Sequence, residues 1–180
     1  MVNQERRSFL RFAIHSLGAL FGAVLGIPAA CYLIDARNRP AVQRDFRPVQ
    51  GVRLDDLQKD VPTQGVIRDV RTDAWTLHPD DVVGRVWVVK TGNDDASIRV
   101  LATICPHLGC FVNNNPPGSG PGFTCPCHSA KFNIDGSKNT GPQQRGMDTL
   151  EWKRDQQDRN LLLVKFENFV QGQSEKVPRT

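Results

Sequence analysis

The sequence lacks the patterns that mark several common classes of protein. It has no internal repeat, no glycine-rich phosphate-binding loop after a predicted strand and no serine-centred hydrolase motif. Residues 51–180, which we term the head, carry no excess charge, because they contain 16 Lys and Arg against 16 Asp and Glu. A neutral head has no net attraction for a phosphate backbone, so a nucleic-acid role is excluded.

Cysteine is also scarce, with five residues in 180. Cys31 stands alone in an apolar segment, and the other four fall in two short boxes. The composition, 39% hydrophobic and 23% charged, fits one globular domain of ordinary size with an appendage. The metal-capable side chains are concentrated in the boxes.

The first box is residues 105–110, CPHLGC, and the second box is residues 125–129, CPCHS. Each box has a cysteine and a histidine at short spacing, and one further cysteine, Cys110 or Cys127. The candidate metal ligands are Cys105, His107, Cys125 and His128. Thiolate and imidazole suit zinc as well as iron–sulfur clusters, so the ligand types alone leave the metal open. A closed tetrahedral zinc site would give Cys110 and Cys127 no role.

The two boxes, C-x-H-x-G-C and C-P-C-H with seventeen residues between His107 and Cys125, resemble those of Rieske iron–sulfur proteins. The resemblance implies one [2Fe–2S] cluster per chain. It assigns one iron to Cys105 and Cys125 and the other iron to His107 and His128. The alternative interpretation is a zinc-bound or purely disulfide-stapled module.

The same resemblance implies the fold. It is an all-β head of antiparallel sheets with a small cluster-binding subdomain, on a single N-terminal transmembrane helix. A disulfide between Cys110 and Cys127 would join the two cluster loops, which requires an oxidising compartment. Short runs rich in apolar residues, at residues 86–89 and 99–102, independently predict a hairpin whose second strand leads into the first box.

For the function, the resemblance implies the electron-transfer subunit of a quinol:cytochrome c oxidoreductase, a cytochrome bc-type complex. The chain alone would be an electron carrier, with cytochrome b, a c-type cytochrome and quinol as partners. His107 and His128 are the candidate catalytic residues, since their free ring nitrogens would face a quinol hydroxyl. The alternative is the small Rieske subunit of an arsenite-oxidase-like molybdoenzyme, in which the head is a fixed electron relay.

Two positions after the second box favour menaquinol as the quinol. Quinol-oxidising members of the resembled family commonly have Ser two places and Tyr four places after the second histidine, where this chain has Ala130 and Phe132. Hydrogen bonds to cluster sulfurs favour the reduced state, so the missing hydroxyls predict a potential in the lower part of the quinol-oxidising range. A low-potential acceptor matches a low-potential quinol.

The N-terminal region predicts export and membrane anchoring. Residues 5–11, ERRSFLR, resemble a bacterial twin-arginine export signal, the alternative being an ordinary basic flank of a membrane segment. Residues 12–34 are an uncharged run of 23, long enough to cross the roughly 30 Å hydrocarbon layer as a retained helix. The predicted location is the bacterial inner membrane, crossed once, with residues 1–11 in the cytoplasm and the head, a Rieske domain, on the periplasmic side.

Three further segments carry expectations about movement and order. Residues 35–50 are polar with two prolines and predict a hinge linker on which the head swings. Residues 141–147, GPQQRGM, resemble the family's loop that shields the cluster, with Gln144 where a second proline is common. Residues 171–180 predict a frayed tail.

Overall fold

The structure, a computed structural model, describes residues 2–38, 45–73 and 76–179. It opens with one helix, α1 (Val2–Asn38), which contains Pro28. Within α1, the segment Asn3–Ile34 is long and apolar enough to cross a membrane, and its most apolar window is not buried. Exposed apolar surface is unfavourable in water, so α1 fits the predicted transmembrane helix.

The described chain after α1 is built from β-strands, as expected for an all-β head. The strands are β1 (Arg47–Arg53), β2 (Thr63–Asp73), β3 (Thr76–Lys90), β4 (Ile98–Ala102), β5 (Asn113–Asn114), β6 (Phe123–Cys125), β7 (Ala130–Phe132), β8 (Lys138–Thr140), β9 (Trp152–Arg154) and β10 (Leu161–Val164). A larger sheet has the order β4-β3-β2-β1-β10-β9, and a smaller sheet has the order β5-β6-β7-β8. The helix belongs to one compact unit and most of the strands to another.

β3 and β4 form the predicted antiparallel hairpin, with Trp87 opposite Leu101. Side chains alternate between the two faces of a strand, so β3 can contribute to two hydrophobic cores. Val86 and Val88 pack in the core of the larger sheet, whereas Trp87 and Val89 pack in a second core around the smaller sheet. The second core also contains one cysteine from each box, so the boxes rest on a packed apolar base.

Trp87 connects the larger sheet to the chain that follows the first box. Its indole Nε1–H donates a hydrogen bond of 2.9 Å to Val112 O, and its ring lies 5.9 Å from the Phe123 ring. Val112 and Phe123 are fully buried. A buried indole N–H needs a partner, so this bond fixes where the chain leaves the first box.

The predicted linker, residues 35–50, is shorter in the structure at both ends. α1 continues to Asn38, and β1 already begins at Arg47, whose guanidinium forms an ion pair with the buried Asp69 carboxylate. Residues 39–44, the middle of the predicted hinge, lie outside the described residues.

β1 escapes detection in the sequence because its buried residues do not alternate. Val49 and Val52 are both buried although they are three positions apart. The pairing of β1 with β10 is irregular between Pro48 and Arg53, and Gly51 in that stretch has φ +82°. The irregularity breaks the period of two that marks a strand.

The predicted frayed tail is wrong for residues 171–179, which are ordered by hydrogen bonds. Val170 N–H donates to Val177 O (2.8 Å), and Arg179 N–H donates to Asn168 O (2.7 Å). A bridge between Phe169 and Pro178 completes this C-terminal hairpin, residues 168–179. These bonds join backbone N–H and C=O groups, which are present whatever the side chains are. A polar sequence therefore gives no indication of them.

Candidate metal centre

The first box is a tight loop that follows β4. Ile104 and Phe111 form an antiparallel bridge at its base. Inside the loop, Cys105 N–H donates to Cys110 O (2.7 Å) and Gly109 N–H donates to Cys105 O (2.9 Å). Gly109 has φ +85°, a left-handed conformation that favours glycine and explains the glycine of the motif. The loop is therefore closed by its own backbone.

The second box is the turn between β6 and β7. Cys125 ends β6 and pairs with Ala130, the first residue of β7. Ser129 has φ +55°, which lets the chain reverse within four residues. The turn leaves Cys125 buried and His128 exposed.

The four candidate ligands separate into an inner pair and an outer pair. Cys105 and Cys125 are each 1% exposed and lie in the second core. His107 is half-buried and His128 is exposed, and their rings are 4.8 Å apart between centroids at 89° to each other. The structure thus places the two thiols together in the buried second core and the two imidazoles together on the solvent side of the boxes.

The inner thiol of Cys105 is difficult to deprotonate. Burial raises the pKa of the Cys105 thiol to about 11, and the neighbouring Cys125 thiol acts in the same direction. A cation bound to the Cys105 sulfur would stabilise its thiolate form.

The remaining cysteines of the boxes form the disulfide Cys110–Cys127, as expected. It joins the two loops directly. The Sγ atoms of Cys110, Cys125 and Cys127 all lie within 4.8 Å of one another. Since two of these sulfurs are bonded to each other, this trio is not a three-thiolate metal site, and Cys125 is its single available ligand. The free cysteines among the described residues are Cys31, Cys105 and Cys125, and Cys31 lies exposed on α1.

The donor set suits a cluster whose two metal ions have different ligands. Soft thiolates at the buried end and imidazoles at the exposed end provide two distinct ligand pairs, as a [2Fe–2S] centre held by two cysteines and two histidines requires. The disulfide gives both remaining cysteines a structural role, which a zinc site would not require. The residues present therefore fit an iron–sulfur cluster.

A third loop, residues 141–147, is held beside β7 by Gln143. The Gln143 side chain is fully buried, and its Nε2–H groups donate to Lys131 O and Thr140 O, both at 3.0 Å. Its Oε1 has no hydrogen-bond partner among the described residues. Gln143 therefore restrains the loop in which Gln144 stands at the place of a second proline.

Ala130 and Phe132, the positions where hydroxyl groups were expected from the resemblance, are both fully buried in the second core. Neither side chain can donate a hydrogen bond. The surroundings of the second box are therefore apolar at these two positions.

Two residues to which the sequence assigned no role form contacts around the first box and the C-terminal hairpin. Gly172 N–H donates to Pro106 O at 2.9 Å, and the Arg145 guanidinium donates to Val170 O and Gln173 O. All three acceptors are backbone carbonyls. Carbonyl acceptors leave no trace in a sequence, so no signal was available to find these contacts.

Comparison with known proteins gives concordant results. The profile of a family described as Rieske [2Fe-2S] domain matches residues 57–151. The menaquinol:cytochrome c reductase iron-sulfur subunit of Bacillus subtilis (strain 168) is 31% identical over 138 residues, covering 76% of this chain and 78% of that protein. The subunit of the same description from Geobacillus thermodenitrificans is 28% identical, covering 82% and 85%. A solved Rieske protein of the Synechocystis plasma membrane is 29% identical, with a TM-score of 0.38 over 56% of this chain and 86% of that chain.

Proposed function

The chain belongs to the Rieske [2Fe-2S] domain family, and on that premise we propose that it is the electron-transfer subunit of a quinol:cytochrome c reductase. Two relatives that it matches over most of their length are iron-sulfur subunits of menaquinol:cytochrome c reductases. The chain alone is an electron carrier. In the complex its partners are cytochrome b, a c-type cytochrome and quinol.

We assign the cluster ligands as Cys105 with Cys125 on one iron and His107 with His128 on the other. The observation that carries this assignment is the two-ended donor set, with both thiols 1% exposed and the two imidazole rings 4.8 Å apart at the surface side. When bound, the cluster supplies a one-electron acceptor whose potential is raised by its neutral imidazole ligands.

The imidazoles would receive the quinol. His128 is exposed and His107 is half-buried, so ring edges of both can reach a bound substrate. A quinol hydroxyl donates a hydrogen bond to the ring nitrogen that does not bind iron. As the quinol would lose one electron to the bound cluster, its hydroxyl proton would pass to that nitrogen, which would act as the general base. His107 and His128 are therefore the proposed catalytic residues.

Menaquinol is the proposed substrate. Fully buried Ala130 and Phe132 cannot donate hydrogen bonds to cluster sulfurs, which favours a low reduction potential. A low-potential acceptor suits a low-potential quinol, and the two relatives named above are menaquinol:cytochrome c reductase subunits.

We further propose that α1 is a single membrane span of a bacterial inner membrane and that the head faces the periplasm. The Cys110–Cys127 disulfide supports an oxidising compartment for the head. The Arg6-Arg7 pair followed by Phe9 and Leu10 supports export by the twin-arginine route, with residues 1–11 left in the cytoplasm.

Purification of the tagged full chain from bacterial membranes tests the function. We expect cytochrome b to co-purify, the complex to contain iron and acid-labile sulfide, and a menaquinol analogue to reduce it faster than a ubiquinol analogue. Zinc in place of iron would exclude the cluster. Arsenite-dependent reduction in a complex that lacks cytochrome b would identify a molybdoenzyme relay instead.

A further inference from the structure

The C-terminal hairpin lies against the first box. Gly172 N–H donates to Pro106 O at 2.9 Å, and a Cβ placed on Gly172 would lie 3.7 Å from His107 O. A Cβ placed on Gly109 would lie 3.8 Å from Cδ of Gln171. The hairpin therefore supports the backbone on both sides of His107.

Arg145 holds the hairpin in this position. Its Nη2 donates to Val170 O at 2.8 Å and its Nη1 donates to Gln173 O at 2.6 Å. These two carbonyls flank Gly172 in the chain, so the guanidinium fixes the segment from which the Gly172 N–H projects. A planar guanidinium can bond several acceptors at once, which an ammonium group cannot do with the same geometry.

The guanidinium is itself held in place by a buried carboxylate. Asp148 accepts from Arg145 Nε at 2.8 Å and from Arg145 Nη2 at 2.9 Å. The Arg145 and Asp148 side chains are only 10% and 6% exposed. A buried, two-pronged ion pair of this kind is rigid and geometrically specific.

We propose that Arg145 is a positioning residue that acts through the C-terminal hairpin to hold Pro106 and His107 in register with the second box. The proposal rests on the proposed role of His107 as a cluster ligand. The C-terminal hairpin lies beyond residue 151, where the family match ends. Without it, the His107 imidazole would lose its fixed orientation relative to His128.

Two variants, a substitution in the full chain and a C-terminal truncation, test the proposal independently. Arg145→Lys keeps the charge beside Asp148 but cannot bond both hairpin carbonyls and the carboxylate with the geometry of a guanidinium. A chain ending at Val170 keeps buried Phe169 and removes Gly172 together with its bond to Pro106. The matched control is Arg154→Lys. Arg154 also pairs with a carboxylate, Asp95, through two nitrogens and donates to a backbone carbonyl, but none of these partners lies in the C-terminal hairpin.

The main readout is hydrogen exchange of the Cys105 and Gly109 amides, relative to amides of the larger sheet, in protein without the cluster. Both variants should raise this ratio about fivefold, the factor for one hydrogen bond of typical net strength, and the control should leave it unchanged. In loaded protein, both variants should also shift the EPR g-values of the reduced cluster.

An unchanged exchange ratio in both variants would overturn the proposal. A rise in exchange that is equal throughout the head leaves the ratio unchanged and would overturn it as well. If the loaded wild type shows a Rieske EPR signal and neither variant alters it, the positioning role fails and the proposed function stands. If the wild type holds no iron–sulfur cluster, the proposed function fails and the positioning role fails with it.

Discussion

The imidazole rings of His107 and His128 lie 4.8 Å apart between centroids and nearly perpendicular to each other, although they come from different loops. Each loop places its histidine there by its own backbone geometry, Gly109 in one and Ser129 in the other, both with positive φ. The backbones of the two loops thus hold the rings in a fixed arrangement, which lowers the free energy required to order them around a cluster.

Loss of either imidazole should abolish the Rieske type of cluster. We expect His107→Ala and His128→Ala to lose the EPR signal of the reduced protein completely, because one iron then lacks one of its two protein ligands. The matched control is His78→Ala. His78 lies in β3, outside both boxes, so this variant should keep the signal. A full signal in His128→Ala would contradict the ligand assignment.

The disulfide should contribute strongly to stability. It closes a loop between residues 17 positions apart, and removing such a constraint costs about 3 kcal/mol of unfolding free energy. Cys110→Ser combined with Cys127→Ser should show this loss in denaturant titrations and become insensitive to reductant. Cys31→Ser, which changes an exposed cysteine, should match the wild type. A double variant as stable as the wild type would show that the bond adds nothing.

Hydroxyl groups restored beside the second box should raise the reduction potential. Ala130→Ser and Phe132→Tyr should each raise it by roughly 40 mV, if each new hydrogen bond to the cluster favours the reduced state by about 1 kcal/mol. Voltammetry of the loaded head measures the shift. Ser129→Ala should leave the potential unchanged, and a fall in that variant would mean that Ser129 already supplies the bond.

The third loop should depend on Gln143 and not on its neighbour. Gln143→Ala removes the donor of two backbone carbonyls and opens a small cavity, so the unfolding free energy should fall by about 2 kcal/mol. Gln144→Ala changes an exposed side chain and should stay within about 0.5 kcal/mol of the wild type. Equal losses in the two variants would argue against a specific role for Gln143.

The turn between β7 and β8 should make stability sensitive to acid. The hydroxyl and backbone N–H of Ser137 donate to the Asp135 carboxylate and hold its pKa below the ordinary value of 3.8. The carboxylate therefore stabilises the fold at pH values above 3.8, and this contribution is lost as pH falls through the lowered pKa. The stability difference between wild type and Asp135→Asn should shrink steadily below about pH 4. Ser137→Ala should weaken the same dependence, which chemical unfolding at a series of pH values can follow.

Local chemistry explains why the boxes and the β3–β4 hairpin could be predicted. Metal ligands and the glycine of the first box are specified by residue type, and the hairpin strands are rich in Val, Leu and Ile. The disulfide Cys110–Cys127 followed from the family resemblance alone. Residue types alone were therefore sufficient to predict the candidate metal ligands and the hairpin.

The missed features depend on contacts between distant parts of the chain. β1 is a strand because it pairs with β10 and buries Val49 and Val52, while its own sequence is mostly polar. The C-terminal hairpin is ordered by Arg145, more than twenty residues upstream, through backbone carbonyls. Pairing of this kind is specified by the whole fold, so the local pattern of residues 47–50 and 171–179 predicted a linker and a frayed tail.

The alternating packing of β3 limits how the metal-binding loops could be reused in protein engineering. Trp87 and Val89 face the core beneath the boxes, and Val86 and Val88 face the core of the larger sheet. A graft of residues 103–150 onto a foreign scaffold would leave behind the indole that bonds to Val112 O. A transplant that keeps the geometry of the metal-binding loops must therefore include β3, and with it the residues that β3 contributes to each of the two cores.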